Sequence, residues 1–138
     1  MKLYLVRHGE TEWNRMEKIQ GQVEIPLNNR GREMARKTSD LLAEIPFDAA
    51  FSSPLSRAYE TGKIILGERA IEIVKRAELL EIGFGVWEGY SIRKAKENPD
   101  DRLYNFFQKP EAYKAPETAE NYMQLYARSS NFLKNIIL

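Results

Sequence analysis

The chain of 138 residues contains a single histidine, His8, set in the run Arg7-His8-Gly9-Glu10-Thr11. A neutral imidazole can attack an electrophile such as phosphorus and split one difficult transfer into two easier ones. The attacking nitrogen must be unprotonated, which histidine reaches near neutral pH. The other nitrogen needs a partner to fix its tautomer, and a nearby backbone carbonyl would serve. Gly9 lets the main chain approach closely, with no side chain in the way. A transferring phosphoryl group carries negative charge on its equatorial oxygens, and guanidinium forks match that geometry. Arg7 and Arg57 are the candidates for this task. The departing oxygen also needs a proton. Glu81, in the glycine-rich and aromatic stretch Leu80-Glu81-Ile82-Gly83-Phe84-Gly85-Val86-Trp87-Glu88-Gly89, is the candidate acid. Glu78 and Glu88 compete with it for that role.

Composition narrows the alternatives. The sequence has no cysteine, which removes disulfides, thiolate nucleophiles and cysteine-bound metals. One histidine cannot build a histidine-rich zinc site. Lys+Arg number 21 and Asp+Glu 20, so the net charge is +1 and nothing pushes the chain generally toward nucleic acid or membrane. Any positive field that holds an anion must therefore be local. The apolar start, Met1 to Val6, is too short for a signal-peptide core or a membrane span, and a cytoplasmic setting is expected.

These residues need elements to position them. Lys2 to Val6 reads as a buried strand feeding the His8 loop. Residues 10 to 30 read as a long loop, of the kind more often functional than decorative. Gly31 to Ile45 reads as a helix with Met34, Ala35, Thr38, Leu41, Leu42 and Ile45 on one face, ended by Pro46. Phe47 to Phe51 reads as a second strand. Ser53-Pro54 offers an N-cap and a proline at the first helical position for a helix carrying Arg57, Ala58, Thr61, Ile64 and Ile65. Ile71 to Val74 is the third strand. Alternation of this kind predicts an α/β fold with a mainly parallel sheet flanked by helices, and ligands bind beyond the carboxyl ends of such strands. Arg7 and His8, Ser52 and Ser53, and Glu81 each follow a strand. Residues 91 to 108 read as helical with a break near Asn98-Pro99, and Pro110 to Pro116 as a loop. After Thr118 comes an amphipathic helix whose stripe of Tyr122, Leu125, Tyr126, Ser129, Phe132, Leu133 and Ile136 reads as core. Nothing in the pattern splits the chain, so residues 1–138 are expected to form a single domain. The apolar ending Ile136-Ile137-Leu138 reads as a cut before the natural end of the fold.

Arg7-His8-Gly9-Glu10-Thr11 followed by Trp13-Asn14 resembles the signature of the histidine phosphatase superfamily, the phosphoglycerate-mutase-like fold. Three more blocks are in register: Gly21 to Pro26-Leu27-Asn28 and Gly31; Phe51-Ser52-Ser53-Pro54-Leu55-Ser56-Arg57-Ala58 with Thr61; and Leu80-Glu81 through Trp87-Glu88-Gly89. The resemblance implies His8 as the phosphorylated residue, Arg7 and Arg57 as phosphate ligands and Glu81 as proton donor. It implies that Asn14, Gln20 and Gly21 contact phosphate or substrate, and that no cofactor or metal takes part. The form of the Phe84 to Gly89 block resembles the small phosphatases, α-ribazole-phosphatase-like and broad-specificity members among them. The segment 91–118 resembles their cap over the pocket, with Tyr104, Phe106, Phe107 and Tyr113 shaping specificity. Glu120 falls where the family often has a Gly-Glu-Ser turn. The implied partner is a small phosphorylated substrate.

The same resemblance brings out a departure. The family carries a second essential histidine, after a later strand lying beside the first, and this sequence has none. A chain lacking that strand is expected to have an incomplete sheet with exposed edges, which invites pairing with another copy as a homodimer. Turnover is expected to be weak or absent. Three functions follow as expectations: phosphomonoester hydrolysis through phosphohistidine, phosphoglycerate-mutase-type phosphotransfer, or a non-catalytic phosphate-binding module.

Overall fold

A computed structural model describes residues 1–137. Leu138, on which the expected truncation turns, lies outside the described residues, as does the side chain of Ile137. The described residues form two compact units. The first comprises residues 1–12 and 24–77, the second residues 13–23 and the described residues from 78 onward.

The first unit is built on one β–α–β crossover. Strand β1 (Ala50–Ser52) and strand β2 (Ile73–Lys75) pair in parallel, with Ala50 opposite Ile73, Phe51 opposite Val74 and Ser52 opposite Lys75. Parallel neighbours need a crossover, and here it contains a helix, Ser56–Leu66. A short helix, Glu12–Arg15, and a longer one, Asn29–Leu41, precede β1. In chain order these three are α1, α2 and α3. The α/β class with a parallel sheet is thus as the sequence predicts.

Helix α2 starts where Asn28 caps it: the Asn28 Oδ1 accepts the Gly31 N–H at 2.8 Å. It packs against α3 through a face that is only in part the one read from hydrophobicity. Gly31 and Ala35 are buried, and the Ser39 hydroxyl donates to the Ile65 carbonyl at 2.9 Å. The three recur every four positions; Gly31 lies against the backbone of Glu10 and Ser39 reaches α3. Met34 and Leu41, placed on the core face by the sequence reading, are exposed at 48% and 83%. The helix also ends at Leu41, before the expected stop at Pro46. The start of α3 differs as well. Ser53 is not its cap; its hydroxyl accepts the Leu55 N–H at 3.3 Å. The carboxylate of Glu24 instead accepts the Ser56 N–H at 3.0 Å and the Ser56 hydroxyl at 2.6 Å. A charged acceptor at a helix N-terminus suits both the open N–H groups and the helix dipole, so it displaces the local serine.

The predicted first strand is absent. Lys2 to Val6 has no ladder partner among the described residues, and Leu3, Leu5 and Val6 are exposed. A strand exists only through pairing, so β propensity without a partner leaves extended but unassigned backbone. Tyr4 packs edge-on against Phe47, with ring centroids 5.5 Å apart.

The second unit holds Trp13–Arg15 of α1 together with α4 (Ile92–Glu97), α5 (Tyr104–Gln108) and α6 (Tyr122–Ile137), with the predicted break between α4 and α5. Its core is Ile19, Ile82, Phe84, Ala95 and Leu103, against which Trp87, Phe106, Tyr113, Tyr122 and Leu125 pack. Helix α6 begins with a reciprocal cap: Asn121 Oδ1 accepts the Gln124 N–H and Gln124 Oε1 accepts the Asn121 N–H, both at 2.9 Å. The predicted core stripe holds only in part. Phe132 is buried, but Tyr126 and Leu133 are exposed at 67% and 41%.

Gly31 provides a test of this packing. Replacing glycine by alanine inside a helix ordinarily stabilises by about 1 kcal/mol. A Cβ at Gly31, however, would collide with the backbone of Glu10. Gly31→Ala is expected to destabilise the chain by about 1–3 kcal/mol, read as a lower urea midpoint. A raised midpoint would refute the close approach.

Candidate active site

His8 lies in the first unit, half-buried, on the loop between residue 6 and α1. Its Nδ1 sits 2.7 Å from the carbonyl oxygen of Gly9. A carbonyl only accepts, so Nδ1 carries the proton and the lone pair resides on Nε2. The loop is held from two sides. Gly9 is buried against the backbone of Gly31, where a Cβ would overlap main-chain atoms. The Gly9 N–H donates to the Thr61 hydroxyl at 3.0 Å, and that hydroxyl donates to the Arg57 carbonyl at 2.7 Å. The His8 turn is thus tied to the first turns of α3, the helix that carries Arg57. Arg57 is 1% exposed, the most enclosed charged side chain among those described, whereas Arg7 is exposed.

Residues after His8 are also anchored. Thr11 and Leu27 form an antiparallel bridge, and Asn28 donates its Nδ2 to Glu10 at 2.9 Å and to Glu12 at 3.2 Å. Asn28 therefore serves twice, capping α2 with its oxygen and holding the acidic loop with its nitrogen. Arg32 of α2 pairs with Glu60 of α3 at 2.6 Å. An open groove lined by Glu24, Ser56, Tyr59, Lys63 and Lys75 also lies in this unit and includes none of the predicted site residues.

The other predicted residues, Asn14, Gln20, Gly21 and Glu81, belong to the second unit. Asn14 lies in α1, and its carbonyl accepts the Glu17 N–H at 3.1 Å. Gln20 and Gly21 are buried. Gly21 adopts φ +55°, a conformation that glycine takes without penalty, and a Cβ there would strike the Glu88 carboxylate. Glu88 accepts the Gln22 N–H at 2.8 Å and the Phe84 N–H at 3.3 Å. The Gln22 side chain donates its Nε2 to the Glu81 carbonyl at 2.9 Å. Glu88, a competitor for the acid's role in the sequence, thus organises two backbone segments instead.

Glu81 is exposed, and its carboxylate accepts the N–H of the next residue, Ile82, at 2.8 Å. Phe84 lies edge-on to Phe106 at 4.8 Å, and Phe106 stacks on Tyr122 at 5.5 Å. Tyr113 joins the same cluster, and burial pushes its hydroxyl pKa up, with Tyr122 adding to the rise. Phe106, Phe107 and Tyr113, read from the sequence as specificity residues, make much of this unit's packing.

One arrangement had no signal in the sequence. Arg128 of α6 pairs with Glu120 through Nε at 2.6 Å and Nη2 at 2.7 Å, and its remaining N–H groups reach the chain around Glu81. The contacts join residues 8 to 50 positions apart, beyond any local pattern. Hydrogen bonds from Arg128 hold the Glu120 carboxyl below its ordinary range, partial burial opposes this, and the Arg128 charge and the Gly83 N–H add to the lowering.

Comparison with known proteins places these features in a family context. The sequence profile of the histidine phosphatase superfamily (branch 1) matches residues 3–137. Phosphoserine phosphatase 1 of Hydrogenobacter thermophilus is 29% identical over 136 residues, covering 99% of this chain and 64% of that protein. The solved structure of YhfR from Bacillus stearothermophilus superposes with a TM-score of 0.86 at 32% identity, covering 95% of this chain and 64% of that one. The α-ribazole phosphatase of Shigella flexneri superposes with a TM-score of 0.82 at 27% identity, again covering 95% and 64%. The chain therefore spans less than two thirds of the length of each.

The Glu120–Arg128 pair makes a pH-dependent contribution of definite sign. A carboxyl whose folded pKa is depressed stabilises the fold above its unfolded value, about 4.3, and loses that contribution as pH falls through the folded value. Urea midpoints of the parent chain and Glu120→Gln are expected to differ fully near about pH 6 and to converge below about pH 4. A pH-independent difference would contradict the assignment.

Proposed function

The chain belongs to the histidine phosphatase superfamily, branch 1, and on that premise we propose that it transfers the phosphoryl group of a small phosphomonoester to His8 and releases it to water. The observation that carries this reading is the Nδ1 contact to the Gly9 carbonyl, which leaves the lone pair on Nε2. In the first step Nε2 attacks phosphorus and the bond from phosphorus to the leaving oxygen breaks. The departing oxygen takes its proton from the Glu81 carboxyl group. In the second step a water attacks the phosphohistidine, its proton passes to the Glu81 carboxylate, and the N–P bond breaks with its electron pair returning to Nε2.

Arg57 is assigned to the phosphoryl oxygens, and its burial supports the role, because a charge shielded from water interacts more strongly with an anion. Arg7 is assigned the same ligand from the solvent side. Asn14, Gln20 and Gly21 are assigned to phosphate or substrate contact, with the buried, glycine-dependent turn at Gly21 as support. The relatives' names indicate phosphoserine and α-ribazole phosphate as the kinds of substrate to try first. The sequence has no second histidine to hold the phosphoryl group opposite His8, so turnover by this chain is proposed to be weak. A cytoplasmic setting completes the proposal. No helix among the described residues is long and apolar enough to cross a membrane.

Incubation with a ³²P-labelled phosphomonoester and rapid quenching is expected to give an acid-labile, base-stable label on the chain. His8→Ala is expected to remove it entirely, and a label that persists in that variant would sink the assignment. Release of free phosphate, compared with isomerisation of phosphoglycerate, separates a hydrolase from a mutase.

A further inference from the structure

A guanidinium has five N–H groups, and those of Arg128 have five acceptors within reach. Two lie on the Glu120 carboxylate, at 2.6 and 2.7 Å. The other three are backbone carbonyls of one short segment: Nη1 donates to Glu78 at 2.8 Å and to Leu80 at 2.6 Å, and Nη2 to Glu81 at 3.1 Å. The segment from Leu80 to Phe84 is neither helix nor strand, so it has no ladder of its own to fix it. Glu120 completes the arrangement, since its own N–H donates to the Gly83 carbonyl at 2.8 Å and its carboxylate accepts the Gly83 N–H at 3.4 Å.

We propose that Arg128 is a positioning residue for Glu81: the guanidinium, oriented by Glu120, gathers the carbonyls of Glu78, Leu80 and Glu81 itself and so sets where that carboxyl group is presented. The proposal rests on the reading of Glu81 as proton donor. Helix α6 is attached to the unit independently, through Tyr122 and Leu125 on the core. The three carbonyl contacts therefore add little to holding α6, and their effect falls on the Glu81 segment. Lysine could not replace them, because a single ammonium with three donors cannot bind a carboxylate through two parallel bonds and reach three carbonyls as well.

A misplaced acid affects only substrates whose leaving group needs a proton, which gives the proposal a specific signature. With an alkyl phosphomonoester such as phosphoserine, Arg128→Lys is expected to lower kcat roughly tenfold, and Arg128→Ala more, with KM changed by less than about threefold. With p-nitrophenyl phosphate, whose leaving group departs as an anion, the loss is expected to stay below about threefold. Glu81→Gln is expected to show the same selectivity, enlarged. Amide hydrogen exchange on the same proteins is expected to quicken at Ile82 and Gly83 in Arg128→Lys while Ala95, in the core of the unit, keeps its protection.

The outcomes separate. Selectivity in Glu81→Gln but equal losses on both substrates in the Arg128 variants would overturn the positioning role and leave the proton-donor reading standing. No selectivity in Glu81→Gln would overturn that reading itself. Exchange needs no turnover: unchanged protection at Ile82 and Gly83 in Arg128→Lys, or faster exchange throughout the unit, would each overturn the proposal alone.

Discussion

Backbone that is neither helix nor strand must still pair its N–H and C=O groups, and most of the residues read as functional here sit on such backbone. Residues 16 to 28 and 80 to 84 contain no regular element beyond single-residue bridges. Their conformations are decided by polar side chains that supply the missing partners. In the second unit the task falls to Arg128 and Glu120 on one side of the Glu81 segment, and to Gln22 and Glu88 on the other. The hydrophobic core of Ile82 and Phe84 holds this segment to the unit, but hydrophobic contact is non-directional. The hydrogen bonds determine which way the chain faces.

The first unit meets the same constraint differently. Its loop at His8 is packed against backbone. Gly9 and Gly31 allow main chain to lie against main chain, and Thr61 passes a hydrogen bond from the loop to α3. Because the Gly31 end of α2 and the Thr61 face of α3 both touch this loop, the packing of α2 on α3 also determines where His8 sits. A two-stranded sheet is marginal by itself. The helix pair, with Ala35 and Ile65 buried and Arg32 bound to Glu60, therefore carries much of the order in this unit.

What could be read from the sequence follows from the range of the interactions involved. The crossover around α3, the parallel pairing of its flanking strands and the break between α4 and α5 were legible, because each depends on local periodicity and on proline or asparagine at a boundary. The blocks containing His8, Arg57 and Glu81 were legible as motifs. The strand at Lys2 to Val6 was not correctly read, because propensity does not provide a partner. The cap of α3 was misassigned because Glu24 lies 32 residues from Ser56. The clamp at Arg128 reaches 47 to 50 positions back along the chain. The faces of α2 and α6 were legible only in part. Ala35 and Phe132 are buried as read, but Met34 and Tyr126, marked as core by hydrophobicity, are exposed.

A chain with net charge +1 has no excess positive field with which to attract a phosphate. It can still hold one if a few charges act at high strength, and strength depends on exclusion of water. Arg57 is almost completely shielded while Arg7 is exposed, so the two arginines of the motif are not equivalent. The attraction of a buried guanidinium for an anion is only weakly screened by salt, whereas that of an exposed one falls over a Debye length. Keeping such a charge buried is costly unless the surrounding structure holds it in place. Helix α3 does this by carrying Arg57 in its first turn, one turn before the threonine that ties down the His8 loop. The position of Arg57 and the position of the His8 loop are consequently set by the same turns of one helix. Burial, rather than the number of charges, is what lets a nearly neutral sequence keep a strong local cation.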